Sequence, residues 1–292
     1  MTEFVPLKSV LFMPGSNPRT LEKALDLAAD AVVFDLEDAT APDKKDEARE
    51  LVQVFFADKP AEVTAASKQF VIRVNGFSSQ WQQRDVAALK GLPIYAVIFP
   101  KVESVQHIEQ ALAMLDEAGV ETSVQLWAMI ETPMAILKVD DIAEKLSQSH
   151  REGGLLLGGN DLSAEMNVPH IPGRGNLLYA ASRTVMAAKA YGLTVLDVVY
   201  NDLENEHGYA ADAQLGVILG FDGKCLIHPK QIDLANQMWT PTPDQVEDAK
   251  QLIATFEAAK AEGKGVVTHK GKMIEELHVR TAQKLLIMAG EG

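Results

Sequence analysis

Two short apolar runs end abruptly in an acid. Leu126-Trp-Ala-Met-Ile-Glu-Thr-Pro133 stops at Glu131, and Leu155-Leu-Leu-Gly-Gly-Asn-Asp-Leu162 stops at Asp161. A brief apolar run beside Pro or Gly reads as a strand buried on both faces. A carboxylate that closes such a strand is too costly to bury unpaired, so it points out of the sheet end, toward a cation or a substrate. Two acids presented this way are what a barrel offers when it holds a divalent metal at its rim. The alternative is that both cap the loops that follow. Oxygen donors with few His or Cys nearby favour Mg2+, or Mn2+, over zinc, with water and substrate completing the coordination. Arg73 stands between Ile72 and Val74 in another apolar run, where a buried guanidinium needs an anionic partner. A cation beside an arginine suits an α-keto or α-hydroxy carboxylate. Such a site polarises a carbonyl or steadies an alkoxide while a carbon–carbon bond breaks.

The elements that must position these groups form a regular series. Eight apolar runs recur, at Val10–Met13, Ala31–Asp35, Phe70–Val74, Ala96–Pro100, Val124–Ile130, Leu155–Gly158, Thr194–Val198 and Lys224–Ile227. Amphipathic stretches lie between them, among them Arg19–Ala29, Trp81–Leu89, Val105–Ala118, Pro133–Leu146, Tyr179–Tyr191 and Gly208–Leu219. Strand alternating with helix implies parallel strands and right-handed crossovers. Eight such units predict an α/β fold, a (β/α)8 TIM barrel, in which chemistry sits at the C-terminal strand ends. A doubly wound sheet is the runner-up, but Pro14-Gly15-Ser16-Asn17 is not a dinucleotide turn. The strand ends then bring together Asp35, Glu37, Asp38, Arg73, Asn75, Lys101, Glu103, Glu131, Asn160, Asp161, Asp197 and His228. Structural readings compete for several: a helix cap for Asp38, a turn at Asn75-Gly76, and a surface pair for Lys101 and Glu103.

After Ile227-His-Pro the period changes. A long helix over Pro241–Gly263, a turn-rich strip Gly263–Gly271 able to pair as a hairpin, and a helix over Met273–Met288 are expected. The barrel is thus assigned to residues 1–238 and a helical and hairpin appendage to 239–292. Composition narrows the rest. Net charge is −14, with 41 acids against 27 bases, which argues against nucleic acid. There is no apolar run of membrane-spanning length and no signal-peptide layout at Met1–Pro6. The single cysteine, Cys225, excludes an intrachain disulfide and reads as a small core residue. A cytoplasmic protein without membrane or nucleic-acid partners is expected.

With these residues assembled, the chain resembles the citrate lyase β-subunit-like family of the HpcH/HpaI aldolase superfamily. The resemblance runs nearly the whole length. It is carried by Ser9-Val-Leu-Phe-Met-Pro-Gly-Ser-Asn17, Phe34-Asp-Leu-Glu-Asp-Ala39, Ile72-Arg-Val-Asn75, Ile98-Phe-Pro-Lys-Val-Glu103, Ile130-Glu-Thr-Pro133, Gly159-Asn-Asp-Leu162 and Ile227-His-Pro-Lys-Gln231. Each is weak alone; their order and spacing are specific. The resemblance implies a Mg2+-bearing (β/α)8 barrel that cleaves or forms 3-hydroxyacyl thioesters such as malyl-CoA, citramalyl-CoA or citryl groups. It implies Glu131 and Asp161 as metal ligands, and Arg73 as the residue that holds the keto-acid carboxylate and the developing oxyanion. Glu37 and Asp38 would orient metal-bound water or Arg73, and Pro14, Gly15 and Arg19 would lie along the CoA arm. Family CoA lyases carry an aspartate after a Gly-Lys-Gly strip and a Met-Ile pair, often reaching into a neighbouring subunit's site. Here the stretch is Gly263-Lys-Gly265 followed by Met273-Ile-Glu-Glu276, so the acid is Glu275. It would handle the proton of the acetyl methyl, or else serve as an acid at a helix start. A homo-oligomer, trimer or hexamer, follows from the same resemblance.

The expected activity is therefore Mg2+-dependent cleavage of a 3-hydroxy-3-carboxyacyl-CoA thioester to acetyl-CoA and an α-keto acid. Three rivals stand beside it: a Schiff-base aldolase using Lys101, a citrate lyase β subunit acting on a carrier-protein thioester, and an acyl-CoA-binding protein on a degenerate barrel.

Overall fold

The computed structural model describes residues 5–291. Met1–Phe4, on which most of the leader reading rests, lie outside them, as does Gly292. The chain forms two compact units, Leu7–Ala235 and the segment from Asn236 onward together with Val5 and Pro6.

The larger unit is a closed ring of eight parallel strands in sequence order, with β8 pairing back onto β1. Its elements run β1 (Ser9–Pro14), α1 (Pro18–Lys23), β2 (Ala31–Asp35), α2 (Lys45–Asp58), α3 (Pro60–Ala65), β3 (Gln69–Arg73), α4 (Gln82–Ala87) and β4 (Ala96–Phe99). They continue with α5 (Val105–Ala118), β5 (Gln125–Ile130), α6 (Pro133–Ser147), β6 (Gly153–Leu157), α7 (Gly159–Glu165), α8 (Leu178–Ala190), β7 (Thr194–Asp197), α9 (Glu206–Leu219) and β8 (Gly223–Leu226). The last helix of this stretch, α10 (Ile232–Trp239), runs across the division between the units. This is the (β/α)8 TIM barrel expected from the strand–helix period.

The strands are buried on both faces because helices cover the outside and side chains fill the inside. Trp127, Phe34 and Phe99 are among the largest fully buried side chains. Outside the ring, Phe55 and Phe56 of α2 pack with Phe34 and Phe70 at centroid distances of 5.1–5.9 Å. Helix starts follow local chemistry. Ser104, Thr132 and Asn205 cap α5, α6 and α9 by accepting from backbone N–H groups, and Pro133 sits in the first turn of α6. The first helix is shorter than the apolar spacing predicts, ending at Lys23.

The smaller unit holds α11 (Pro243–Ala261), β9 (Val267–His269), β10 (Lys272–Ile274) and α12 (Glu276–Met288). A reciprocal box between Thr242 and Gln245 starts α11. The two-residue turn Lys270-Gly271 has both φ values positive, which closes a tight hairpin. Here the structure corrects the helical reading of Met273 and Ile274. Both belong to the returning strand, paired with Thr268 and Val267. Ile274 turns into a core with Phe256 and Val279, and that burial decides the matter.

Candidate active site

Asp35 and Arg73 are register partners on the adjacent strands β2 and β3, so their side chains leave the same end of the ring. The guanidinium grips the carboxylate with two bonds, Nε to Oδ1 at 2.8 Å and Nη2 to Oδ2 at 2.6 Å. The same two oxygens accept from the backbone N–H groups of Glu37 and Ala39 at 2.9 Å, which folds the loop after β2 around the pair. Lys45 tightens that loop by donating to the carbonyls of Leu36 and Glu37. Arg73 Nη1 lies 3.0 Å from Glu37 Oε2 and 3.7 Å from Asp38 Oδ2, and the guanidinium sits over the ring of Phe12. Burial would weaken its charge, but Asp35, Glu37 and Asp38 outweigh burial and raise its pKa further; Arg73 is permanently cationic.

Across the mouth, Glu131 directly follows β5, and the next two residues start α6, Thr132 as its cap and Pro133 in its first turn. Glu131 Oε1 accepts from the backbone N–H of Lys101 at 2.8 Å. Its Oε2 faces Gly158, where a Cβ would stand 2.5 Å from that oxygen. The glycine is therefore a clearance for the carboxylate. Asp161 lies in the first turn of α7, and its Oδ1 is 3.1 Å from Lys101 Nζ.

The set surrounds a cavity of about 400 Å³ lined by Pro14, Asp35, Asp38, Arg73, Glu131, Asn160 and Asp161. Phe12, Val199, Cys225 and Ile227 add apolar surface to the same lining. Carboxylates outnumber cations here: Asp35, Glu37, Asp38, Glu131 and Asp161 face Arg73 and Lys101. Burial first, and then the neighbouring acids against the opposition of Arg73, push Glu37 up to about 8. Burial and Asp161 push Glu131 up to about 7, although the Lys101 N–H, Arg73 and Lys101 oppose the shift. Burial of Lys101 is outweighed by Asp161, Glu131 and Glu37, which raise its pKa and keep it an ammonium. That is the reverse of what an imine-forming lysine needs.

The residues fit a divalent ion. The donors are all oxygen, and acidic groups outnumber cations around the cavity. Among the described residues no three His, Cys, Asp or Glu side chains gather into a metal-holding group. The ion would thus rest on Glu131 and Asp161 alone, with water and substrate oxygens, as magnesium prefers.

Other strand-end residues are tied to neighbouring elements. Asn75 donates to Asp85 and to the Leu36 carbonyl, Glu103 accepts from Thr132, and His228 caps the turn Pro229–Gln231. Asp197 is held in a buried quartet with Lys224, Asp212 and Arg174. Gly15 packs against Leu36 and the Asp35 carbonyl, and Arg19 is exposed at the start of α1. Glu275 belongs to the smaller unit, where its backbone N–H donates to His278 Nδ1 at the start of α12. The Cys225 thiol is buried, and burial pushes it up to about 12, so it is an inert wall. Asp35 is the residue whose weight the sequence understated; its signal was the strand-closing position beside Glu37.

A closed parallel barrel that gathers an arginine and several carboxylates at its C-terminal strand ends is the architecture of an enzyme whose chemistry lies at that end. The chain matches the model of the HpcH/HpaI aldolase/citrate lyase family over residues 8–229, and it belongs to that family. It is an enzyme of the carbon–carbon lyase type. Relatives include a (3S)-malyl-CoA thioesterase of Cereibacter sphaeroides, 39% identical over 97% of this chain and 95% of that protein. The citrate lyase subunit beta of Leuconostoc mesenteroides is 32% identical over 97% and 93%. Among solved structures, CitE of Mycobacterium tuberculosis in complex with magnesium, acetoacetate and coenzyme A superposes with a TM-score of 0.75. It shares 27% identity and covers 97% of this chain and 98% of that one.

Proposed function

We propose that this chain is a Mg2+-dependent lyase that opens a 3-hydroxy-3-carboxyacyl-CoA thioester, of the citramalyl-CoA or malyl-CoA type, to acetyl-CoA and an α-keto acid. The observation that carries this reading is the excess of carboxylate at the strand ends around one pinned arginine. Glu131 and Asp161 would hold the ion, which supplies Lewis acidity to the oxygens of the α-hydroxy carboxylate. The magnesium and coenzyme A in the similar CitE structure support both parts of the assignment.

Arg73 does the work on the substrate. Asp35 fixes Nε and Nη2, so the substrate carboxylate and the oxyanion would meet Nη1, exchanging with its weak contact to the Met129 sulfur at 3.7 Å. Glu37 and Asp38 orient Arg73 from the side of Nη1. The hydroxyl proton passes to a carboxylate of this cluster, the carbon–carbon bond opens to a keto acid and a thioester enolate, and a proton returns to the enolate carbon. That proton is assigned, on the family resemblance, to Glu275. Pro14, Gly15 and Arg19 are assigned to the CoA arm on the same ground. A homo-oligomer and a carrier-protein thioester belong to this proposal as well, the latter supported by the citrate lyase subunit beta relatives.

A second reading is favoured by the malyl-CoA thioesterase relatives: hydrolysis of the thioester in the same cavity. One assay separates the two. Purified protein is incubated with citramalyl-CoA and (3S)-malyl-CoA, with Mg2+ and then with EDTA, and products are resolved by mass spectrometry. The lyase yields pyruvate or glyoxylate with acetyl-CoA, and both EDTA and Glu131→Ala abolish it. Malate or citramalate appearing with free CoA, and no keto acid, would replace the lyase by the hydrolase.

A further inference from the structure

We propose that Lys101 is the built-in rival of the divalent cation: its ammonium holds Asp161 until the ion arrives, the ion enters by exchanging with it, and Lys101 thereby sets how tightly the ion is bound. This rests on the assignment of Glu131 and Asp161 above. Lys101 reaches the two acids through two independent groups. Its backbone N–H donates to Glu131 Oε1 at 2.8 Å, and its Nζ stands 3.1 Å from Asp161 Oδ1. The backbone holds φ at 51°, a left-handed conformation that a residue with a Cβ adopts only at a cost.

The two contacts differ in what can leave. The N–H is fixed in the chain just beyond β4, so Glu131 Oε1 stays engaged and Oε2, in the clearance over Gly158, is the oxygen free for an ion. The ammonium rides on a flexible stem whose side chain is 46% exposed, so it can swing into solvent. A divalent ion and an ammonium on one small carboxylate repel each other, and binding of one weakens the other. Lys101 thus keeps two neighbouring acids from facing each other without a counter-charge, and it yields Asp161 when a stronger cation competes.

The test is Mn2+ binding without substrate, followed by electron paramagnetic resonance of the free ion, for wild type, Lys101→Met and Lys101→Arg. Lys138→Met, which removes a charge from the exposed face of α6, serves as the control. Exchange predicts that K101M binds Mn2+ about three- to fivefold more tightly, the size expected for a half-exposed ion pair. K101R, which keeps a cation in place, and K138M should match wild type. Equal or weaker binding by K101M overturns the proposal, as does equal tightening by K138M, since net charge would then be the cause. If wild type takes up no Mn2+, the cation assignment falls together with the exchange. If wild type binds and K101M is unchanged, the exchange alone falls.

Discussion

Asp35 engages four donors with two oxygens, and in doing so it takes itself out of the competition for a metal. Its neighbours Glu37 and Glu131 are buried among other acids, and burial above all pushes them up to about 8 and about 7. An acid whose pKa is raised in the folded state keeps a proton that the unfolded chain, near the ordinary 4.5, gives up. Its stabilising contribution is complete below the unfolded pKa and is lost as pH rises through the folded one. Glu37→Gln, which cannot ionise, is spared that loss. For cation-free protein, the melting temperature of E37Q relative to wild type should therefore climb between about pH 5 and about pH 8. Thermal melts across that range decide it, and a constant difference would show that Glu37 is not held protonated. The chemical identities of Arg73, Glu131 and Asp161 were legible in the sequence because each closes or interrupts an apolar run. The partnership of Asp35 with Arg73 was not, since it depends on which residues face each other across two strands.

The segments that carry these groups are short and punctuated. In Glu131-Thr132-Pro133 the first residue points into the cavity, the second caps α6 and the third sits in its first turn, so one tripeptide ends a strand, presents an acid and begins a helix. Gly158, just after β6, performs the complementary task by leaving room. Gly158→Ala would bring a methyl to 2.4 Å from Glu131 Cβ and 2.5 Å from Oε2. That should displace the carboxylate and lower Mg2+ affinity about tenfold or more, the range seen when ligand orientation is lost, with far-UV circular dichroism unchanged. Isothermal titration would show it; wild-type affinity in G158A would mean the carboxylate does not need that clearance. Strand positions and the helices with clean apolar spacing were legible from pattern. Helix α7 was hidden because it starts on two glycines and is short, and Met273 misled because a two-residue turn, rather than a period, governs its segment.

The count of strand–helix units was enough to predict the closed barrel, since eight parallel repeats have few other ways to bury both faces of a sheet. What the count cannot show is the buried chemistry that joins distant elements. Lys224, fully buried on β8, bonds Asp197 of β7 at 3.0 Å and Asp212 of α9 at 2.6 Å, while Arg174 binds both acids from the loop before α8. Read alone, Asp197 looked like a catalytic strand end; paired, it ties strands β7 and β8 to a helix. Lys224→Met removes one of two cations from two buried carboxylates and should cost about 3 kcal/mol. Urea unfolding followed by fluorescence would measure it, and an unchanged midpoint would mean Arg174 suffices.

The cavity's mixed lining carries a stereochemical consequence. Arg73, Glu131 and Asp161 share the lining with the apolar Phe12, Val199, Cys225 and Ile227. A carbon bearing a hydroxyl and a carboxylate that engages the charged groups at two points turns one remaining substituent toward an apolar part of the lining. Its mirror image, held by the same two groups, would turn that substituent elsewhere. Three unlike contacts on one carbon are the minimum for telling hands apart, so the barrel that gathers the charges also makes the site chiral toward its substrate.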